Sequence, residues 1–190
     1  MARIKNLVLE DVRVISKNFR GIAKPPYEEA GKPNFCVILP RDPDFIADVA
    51  AMGYPVKVFK APPKDDPDAD PDSFIKVSLS FPVNRETGQP YNWPEVYLVT
   101  NRGREDMQVV QLDKDSMGTL DTVSIESWDM EIRGWEYDQF GRKGVKAFLV
   151  KLYATASDSY NEMLRNSSRL DSKYRKMMDE IDNDDPDLPF

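Results

Sequence analysis

The stretch from Thr122 to Tyr153 limits the choice of folds more than any other part of the chain. Apolar residues recur along it at every second position, first at Val123 and Ile125 and then, with the parity switched, at Trp128, Met130 and Ile132. Period two puts alternate side chains on one face of a strand. The switch predicts a β-bulge near Ser127, because one extra residue exchanges the two faces. The segment DQFGRKG supplies a turn and VKAFLVKLYAT a return limb, so the stretch reads as one long hairpin.

The rest of the chain extends this β character. Residues 4–16 alternate well enough for a first strand, with Val12 and Val14 on one face and Arg13 on the other. A Gly- and Pro-containing loop follows, then Phe35 to Leu39 as a strand buried on both faces. A short helix is expected near 44–52, with Asp42 or Asp44 as N-cap and Gly53 as its stop. Pro55 to Phe59 reads as a third strand. SFIKVSLSF reads as a fourth, with Ile75, Val77, Leu79 and Phe81 inward and Lys76, Ser78 and Ser80 outward. EVYLVT and MQVVQL add two short strands around the basic turn NRGRED. From Ser159 to about Ile181, Tyr160, Met163, Leu164, Leu170, Tyr174, Met177, Met178 and Ile181 form a helical stripe. That stripe can pack on its own barrel or on a second subunit of a homodimer, and amphipathicity does not choose. The fold class is mostly β, a barrel-like domain with a long hairpin extension, short helices and a C-terminal helix.

Composition removes whole classes of chemistry. With no histidine in 190 residues, no His-based triad, His–Cys zinc site or imidazole base can form. The acidic run Lys64 to Asp72 fails as a calcium loop, because Pro71 or Ser73 stands where the sharp-turn glycine belongs and Val77 or Leu79 where the closing glutamate belongs. It reads as a solvated loop, so neither metal nor cofactor is expected and the chain reads as no enzyme. No apolar run approaches 18 residues and no secretory leader stands at the start, so neither a membrane span nor export is expected. The single cysteine, Cys36, lies in an apolar run and suits a reducing compartment.

The last twelve residues have their own logic. Asp179, Glu180, Asp182, Asp184, Asp185 and Asp187 give six acids with no base among them, and the chain stops at Leu188-Pro189-Phe190. Like charges and prolines predict an extended tail rather than a packed element. Its apolar tip suits a pocket and its carboxylates suit basic residues around that pocket. The tip resembles the C-terminus of bacterial single-stranded DNA-binding proteins, an acidic run closing on Asp-Ile-Pro-Phe, with Leu188 in place of Ile. Beyond the tail, a first strand followed by KNFRG, a Gly-containing loop and NFCVIL, with the late hairpin WEYDQFGRKGVKAFL, is similar to a group of bacteriophage single-stranded DNA-binding proteins.

That resemblance implies an OB-fold for 1–157 and a protein-interaction tail for 179–190, with the helix read from the apolar stripe, 158–178, between them. It also implies sequence-non-specific binding and protection of single strands in phage replication, recombination or repair, in the bacterial host cytoplasm. The tail would recruit a polymerase, helicase, primase, nuclease or recombinase through Asp184, Asp185, Asp187, Leu188, Pro189 and Phe190. The N-terminal signature of the bacterial chromosomal proteins is missing, so their tetramer does not carry over. The predicted helix also precedes the third strand, where an OB-fold usually places its helix after it. The rival expectation is a replisome adaptor or inhibitor that docks through the same tail and binds no nucleic acid.

A net charge of −7 does not oppose DNA binding once it is divided along the chain. All 26 Lys and Arg precede residue 179 and six of the 33 acids lie at or after it, which leaves 1–178 at −1. Setting aside 61–72, with one Lys and five Asp, leaves the remainder at +3. Single-strand binding needs cations to follow phosphates and aromatic faces to stack bases, and three segments interleave the two. The first is Lys17, Phe19 and Arg20, with Lys24, Tyr27 and Lys32 further along the loop. The second is Arg133, Trp135 and Tyr137 at the hairpin tip, followed by Phe140, Arg142, Lys143 and Lys146. The third is Lys57 and Lys60 flanking a core-side Phe59, to which Arg102 and Arg104 add charge. Phe19 can instead cap the core, and either Trp135 or Tyr137 can turn inward.

Overall fold

The computed structural model describes residues 4–22, 32–64, 66–139 and 141–183, with backbone alone for 139, 170, 171 and 173–183. Among the described residues eight strands and two α-helices follow in chain order: β1 (Leu7–Asn18), β2 (Asn34–Ile38), α1 (Pro43–Ala51), β3 (Lys57–Val58), β4 (Ser73–Ser78), β5 (Glu95–Thr100), β6 (Gln108–Leu112), β7 (Ile125–Gln139), β8 (Arg142–Ala156) and α2 (Asp158–Asn183). A 3-10 turn, Met117–Asp121, precedes β7.

Five of the strands close a barrel. β1 pairs antiparallel with β2 and β7, β2 with β4, and β7 with β8. Closure comes from a short parallel pairing of β4 with β8, Val77 opposite Ala147 and Ser78 opposite Phe148. In barrel numbering the order is 1-2-3-5-4-1, an OB-like fold, with β4, β7 and β8 as third, fourth and fifth strands. Closure leaves these strands no open edge to protect. The helix α1 lies between the second and third barrel strands, as the sequence predicts. The hairpin β5–β6 and the 3-10 turn fill the later crossover, and β5 extends the sheet by pairing parallel with β8 from Glu95↔Lys151 to Val99↔Thr155.

The long hairpin forms as its pattern dictates. Trp128, Met130 and Ile132 are buried, and the β7–β8 register shifts at Ile125/Ser127 and again at Glu131/Ile132. The first shift is the bulge the parity switch predicts near Ser127. α1 starts at Asp42, whose carboxylate accepts from the amides of Asp44 and Phe45, and ends before Gly53 at a φ of 94°, a conformation glycine adopts without penalty. The third predicted strand shrinks to Lys57–Val58, because only these two residues find register with β4.

The barrel core is aromatic at one end. Phe19 stacks between Phe35 at 5.2 Å and Trp128 at 6.0 Å. The Asp121 carboxylate accepts from the backbone amides of Phe19 (2.8 Å) and Arg20 (3.0 Å), which fixes where β1 ends. Asn18 then brackets Ile22, accepting its amide and donating to its carbonyl, both at 2.9 Å, so the loop from β1 to β2 leaves in a set direction. α2 carries the chain to Asn183, so the backbone of 179–183 is helical where the sequence reading began an extended tail. No helix among the described residues is long and apolar enough to cross a membrane.

Candidate nucleic-acid interface

An open groove of about 550 Å³ crosses the outer face of the barrel. Its floor comes from Asn34 of β2, Lys76 and Ser78 of β4, and Gly144, Val145, Lys146 and Ala147 of β8. Lys32 at the end of the β1–β2 loop, Pro55 and Lys57 beside β3, and Tyr137 of β7 complete its walls. The register explains the grouping. Asn34 faces Ser78 across β2–β4, Cys36 faces Lys76, and the parallel step to β8 brings Ala147 beside Val77. Inward residues Phe35, Val37, Ile75 and Val77 are fully buried, so their alternate neighbours must point outward.

Tyr137 is seated by a glycine. It pairs with Gly144 across β7–β8, and a Cβ at Gly144 would lie 2.7 Å from the Tyr137 hydroxyl oxygen and 2.9 Å from its Cζ. Only a residue without a side chain lets the ring lie down there. Lys146, two residues on, holds its ammonium 5.6 Å from the centre of the same ring, a cation–π contact. Trp135 pairs with the groove residue Lys146 on the same face and is 61% exposed, so a second aromatic face lies beside that of Tyr137. Among the described residues the groove lining holds four lysines and no carboxylate.

The three sequence clusters separate in space. Lys57, Tyr137 and Lys146 meet in the groove, joined by Lys32 from the first loop. Phe19 does not: it is 1% exposed in the aromatic stack, so no base can reach its ring in the closed barrel. Lys17 lies against the Trp128 ring at 5.7 Å and donates to the Val123 carbonyl. Burial lowers its pKa and the nearby Asp121 carboxylate partly offsets that. The β1–β2 register shifts between Ile15 and Asn18, and just past it the Phe19 amide bonds Asp121 of the 3-10 turn. Arg20 lies over Gly118 of that turn, its Cγ 2.6 Å from where a Cβ would stand.

Arg102 and Arg104 belong to a different place. They line a cleft of about 860 Å³ at the root of α2 with Glu10, Asp11, Glu126, Asp129 and Asp158. Arg104 bonds Asp158 of α2 at 3.0 Å and Arg102 approaches Asp129 of β7 at 3.8 Å, so this basic turn is matched by acids from two other elements, with those of β1 lining the same cleft. Lys60 is exposed just past β3. Arg142 and Lys143 stand exposed at the hairpin tip, Lys143 paired with Asp138 at 3.1 Å. Arg133 is half-buried opposite Phe148, its Nε without a hydrogen-bond partner among the described residues. Phe59 stacks on Phe74 at 4.2 Å, a packing role. Lys24, Tyr27, Asp184, Asp185, Asp187, Leu188, Pro189 and Phe190 lie outside the described residues.

Sequence reasoning left Lys76, Ser78 and Asn34 out of the site. The signal for two of them was present, since the period-two pattern of β4 already turns Lys76 and Ser78 outward. What it could not give was the neighbour, because the parallel contact with β8 joins segments about seventy residues apart.

A five-stranded OB-like barrel with a lysine-lined groove over its second and third strands defines a class of protein, the OB-type nucleic-acid binders, which use that face and the loops around it. The chain matches over residues 1–185 the model of a family described as "Putative phage ssDNA-binding domain", and it belongs to that family. The family is one of binders, not enzymes. Among solved structures, the chain is similar to the C-terminally truncated single-stranded DNA-binding protein of bacteriophage Enc34 (13% identity, TM-score 0.50, covering 80% of this chain and 86% of that one). It is equally similar to the Enc34 protein in complex with ssDNA (14% identity, TM-score 0.50, covering 80% and 87%). Both likenesses concern the fold. No curated protein matches the sequence.

Proposed function

We propose that this protein binds single-stranded DNA without strong sequence preference through the groove over β2, β4 and β8, coating exposed strands in phage replication, recombination or repair in the host cytoplasm. The observation that carries this reading is the lining of that groove, which among the described residues has four lysines, no carboxylate, and a tyrosine ring seated on a glycine. Lysines follow phosphates whatever the bases, and a tyrosine face stacks on any of them, which gives affinity without sequence readout. The solved Enc34 complex with ssDNA supports it, as a protein of similar fold. Titration of labelled oligo(dT) against a duplex of equal length tests the reading. Saturable binding of oligo(dT) in preference to duplex is expected, and absence of oligo(dT) binding returns the chain to the adaptor class.

The acidic end then has two roles. Leu188, Pro189 and Phe190 dock replication or recombination proteins, and the carboxylates before them compete with DNA for the lysine groove when no strand is bound. Removing 184–190 should preserve or tighten oligo(dT) binding and abolish pull-down of replication proteins. Loss of DNA binding on that deletion counts against the scheme.

A further inference from the structure

The floor of the lysine groove holds a buried acceptor without a donor. Asn34 begins β2, and because Phe35 beside it is fully buried in the core, the Asn34 side chain points to the outer face. It lines the groove yet is only 5% exposed. Its Nδ2 donates to the Lys32 carbonyl at 2.9 Å, and that bond decides which end of the amide is oxygen. The Oδ1 at the other end has no hydrogen-bond partner among the described residues. A buried acceptor left unpaired costs free energy, which an incoming donor returns.

A second short polar side chain stands beside it. Ser78 is the β4 partner of Asn34, and residues opposite each other on one face of an antiparallel pair have their Cβ atoms about 5 Å apart. Its hydroxyl donates or accepts. Lysines follow phosphates and a tyrosine face stacks on any base, so neither tells one base from another. Asn34 and Ser78 can, because the β2–β4 ladder holds their backbones and their side chains are short. They offer an acceptor beside a donor. An unpaired cytosine or adenine presents the complement on its Watson–Crick edge, an exocyclic amino group beside a ring nitrogen that accepts. Thymine and guanine carry a carbonyl oxygen in place of that amino group, which sets acceptor against acceptor. The broad χ2 well of asparagine lets Oδ1 swing to meet the donor. We propose that Asn34, with Ser78, forms a base-edge subsite on the groove floor that favours cytosine and adenine over the bases with a carbonyl in that place. It rests on the reading that single strands lie in this groove, and it adds a modest preference to non-specific binding.

Oligo(dC) and oligo(dU) of equal length differ on that edge and nowhere else. Anisotropy titrations of the full chain with both, at mildly alkaline pH where cytosine is neutral, test the subsite. Oligo(dC) should bind about fivefold more tightly, the worth of one hydrogen bond. Asn34→Leu removes the acceptor and should bring the two affinities together, and Ser78→Ala should narrow the gap part of the way. Equal affinities in the wild-type protein overturn the subsite and leave the groove reading standing, whether or not the variants fold. A preference that survives in folded Asn34→Leu overturns it too. So does a preference for oligo(rU) over oligo(dU) that Asn34→Leu abolishes, because the donor is then the ribose 2′-hydroxyl. Absence of binding to every oligonucleotide removes both the subsite and the reading beneath it.

Discussion

Replacing Lys57 and Lys76 together by alanine tests the groove by its salt dependence. For a single strand, each neutralised phosphate contributes about −0.7 to the slope of log affinity against log salt. Four groove lysines, each on one phosphate, set a slope of about −2.8. A fourfold rise in salt, from about 50 to about 200 mM, then lowers affinity about fiftyfold. With Lys57 and Lys76 gone the slope halves to about −1.4, and the same rise costs about sevenfold. Both residues are exposed at the groove, so the variant should unfold at the same denaturant concentration as wild type. The assay is fluorescence anisotropy of labelled oligo(dT) titrated at several salt concentrations. Arg102→Ala with Arg104→Ala is the control, because those guanidinium groups face carboxylates in the cleft at the α2 root. An unchanged slope in the lysine variant, or an equal change in the arginine control, refutes the placement of the strand in this groove.

Three further predictions rest on single contacts. Phe19→Ala removes the central ring of a buried stack and should cost about 3–5 kcal/mol in urea unfolding while leaving the oligo(dT) affinity of the folded fraction intact; lost affinity without lost stability would return Phe19 to the DNA site. Tyr137→Ala should weaken oligo(dT) binding by about 1–3 kcal/mol, and Gly144→Ala should reproduce part of that loss by pushing the ring off its seat, as titration of both variants would show. The Lys151–Glu95 bridge of 2.8 Å should give a stability gap between wild type and Lys151→Met that closes at both ends of the pH scale. Hydrogen bonding to Lys151, then to Tyr97, holds the Glu95 carboxyl below its ordinary 4.5, so its contribution is present above that value and is lost as pH falls through the lowered one. The bond to Glu95 holds Lys151 above its ordinary 10.5, so its contribution is present below 10.5 and is lost as pH rises through the raised value. Urea melts across pH check this, and a gap independent of pH rejects it.

The elements that were legible in the sequence are those whose cause is local. Parity along 123–132 revealed both the hairpin and its bulge, because side-chain alternation needs only the chain's own neighbours. Asp42 and Gly53 marked the ends of α1 for the same reason. The site was half legible. Phe19 stands between Lys17 and Arg20 and looked like a stacking residue, yet its partners Phe35 and Trp128 come from strands that local pattern does not bring near. The turn bearing Arg102 and Arg104 looked like part of a phosphate track. Its acids arrive from β1, β7 and α2, so its charge is spent within the fold. Lys76 was correctly turned outward, but only the parallel contact between β4 and β8 decides what it looks across at. The 3-10 turn Met117–Asp121 gave no signal, since one turn around a glycine is too short to show a period.

Charge shows why a chain of pI 4.8 can present a cation groove. The sequence separates acids into the loop 61–72 and the tail, and the fold separates them again. β8 contributes Gly144 to Ala147 to the lysine groove and Thr155 and Ala156 to the acidic cleft. The eight residue steps from Ala147 to Thr155 span about 26 Å at the rise of an extended strand. The screening length at physiological salt is about 8 Å, so the field of the cleft acids is largely gone over that distance. A phosphate entering the groove therefore meets Lys32, Lys57, Lys76 and Lys146 with little opposing field from the cleft acids. Net charge governs how the protein repels a distant polyanion at low salt. The local lining governs what it holds on contact, and the long hairpin, with one end in each site, keeps the two apart.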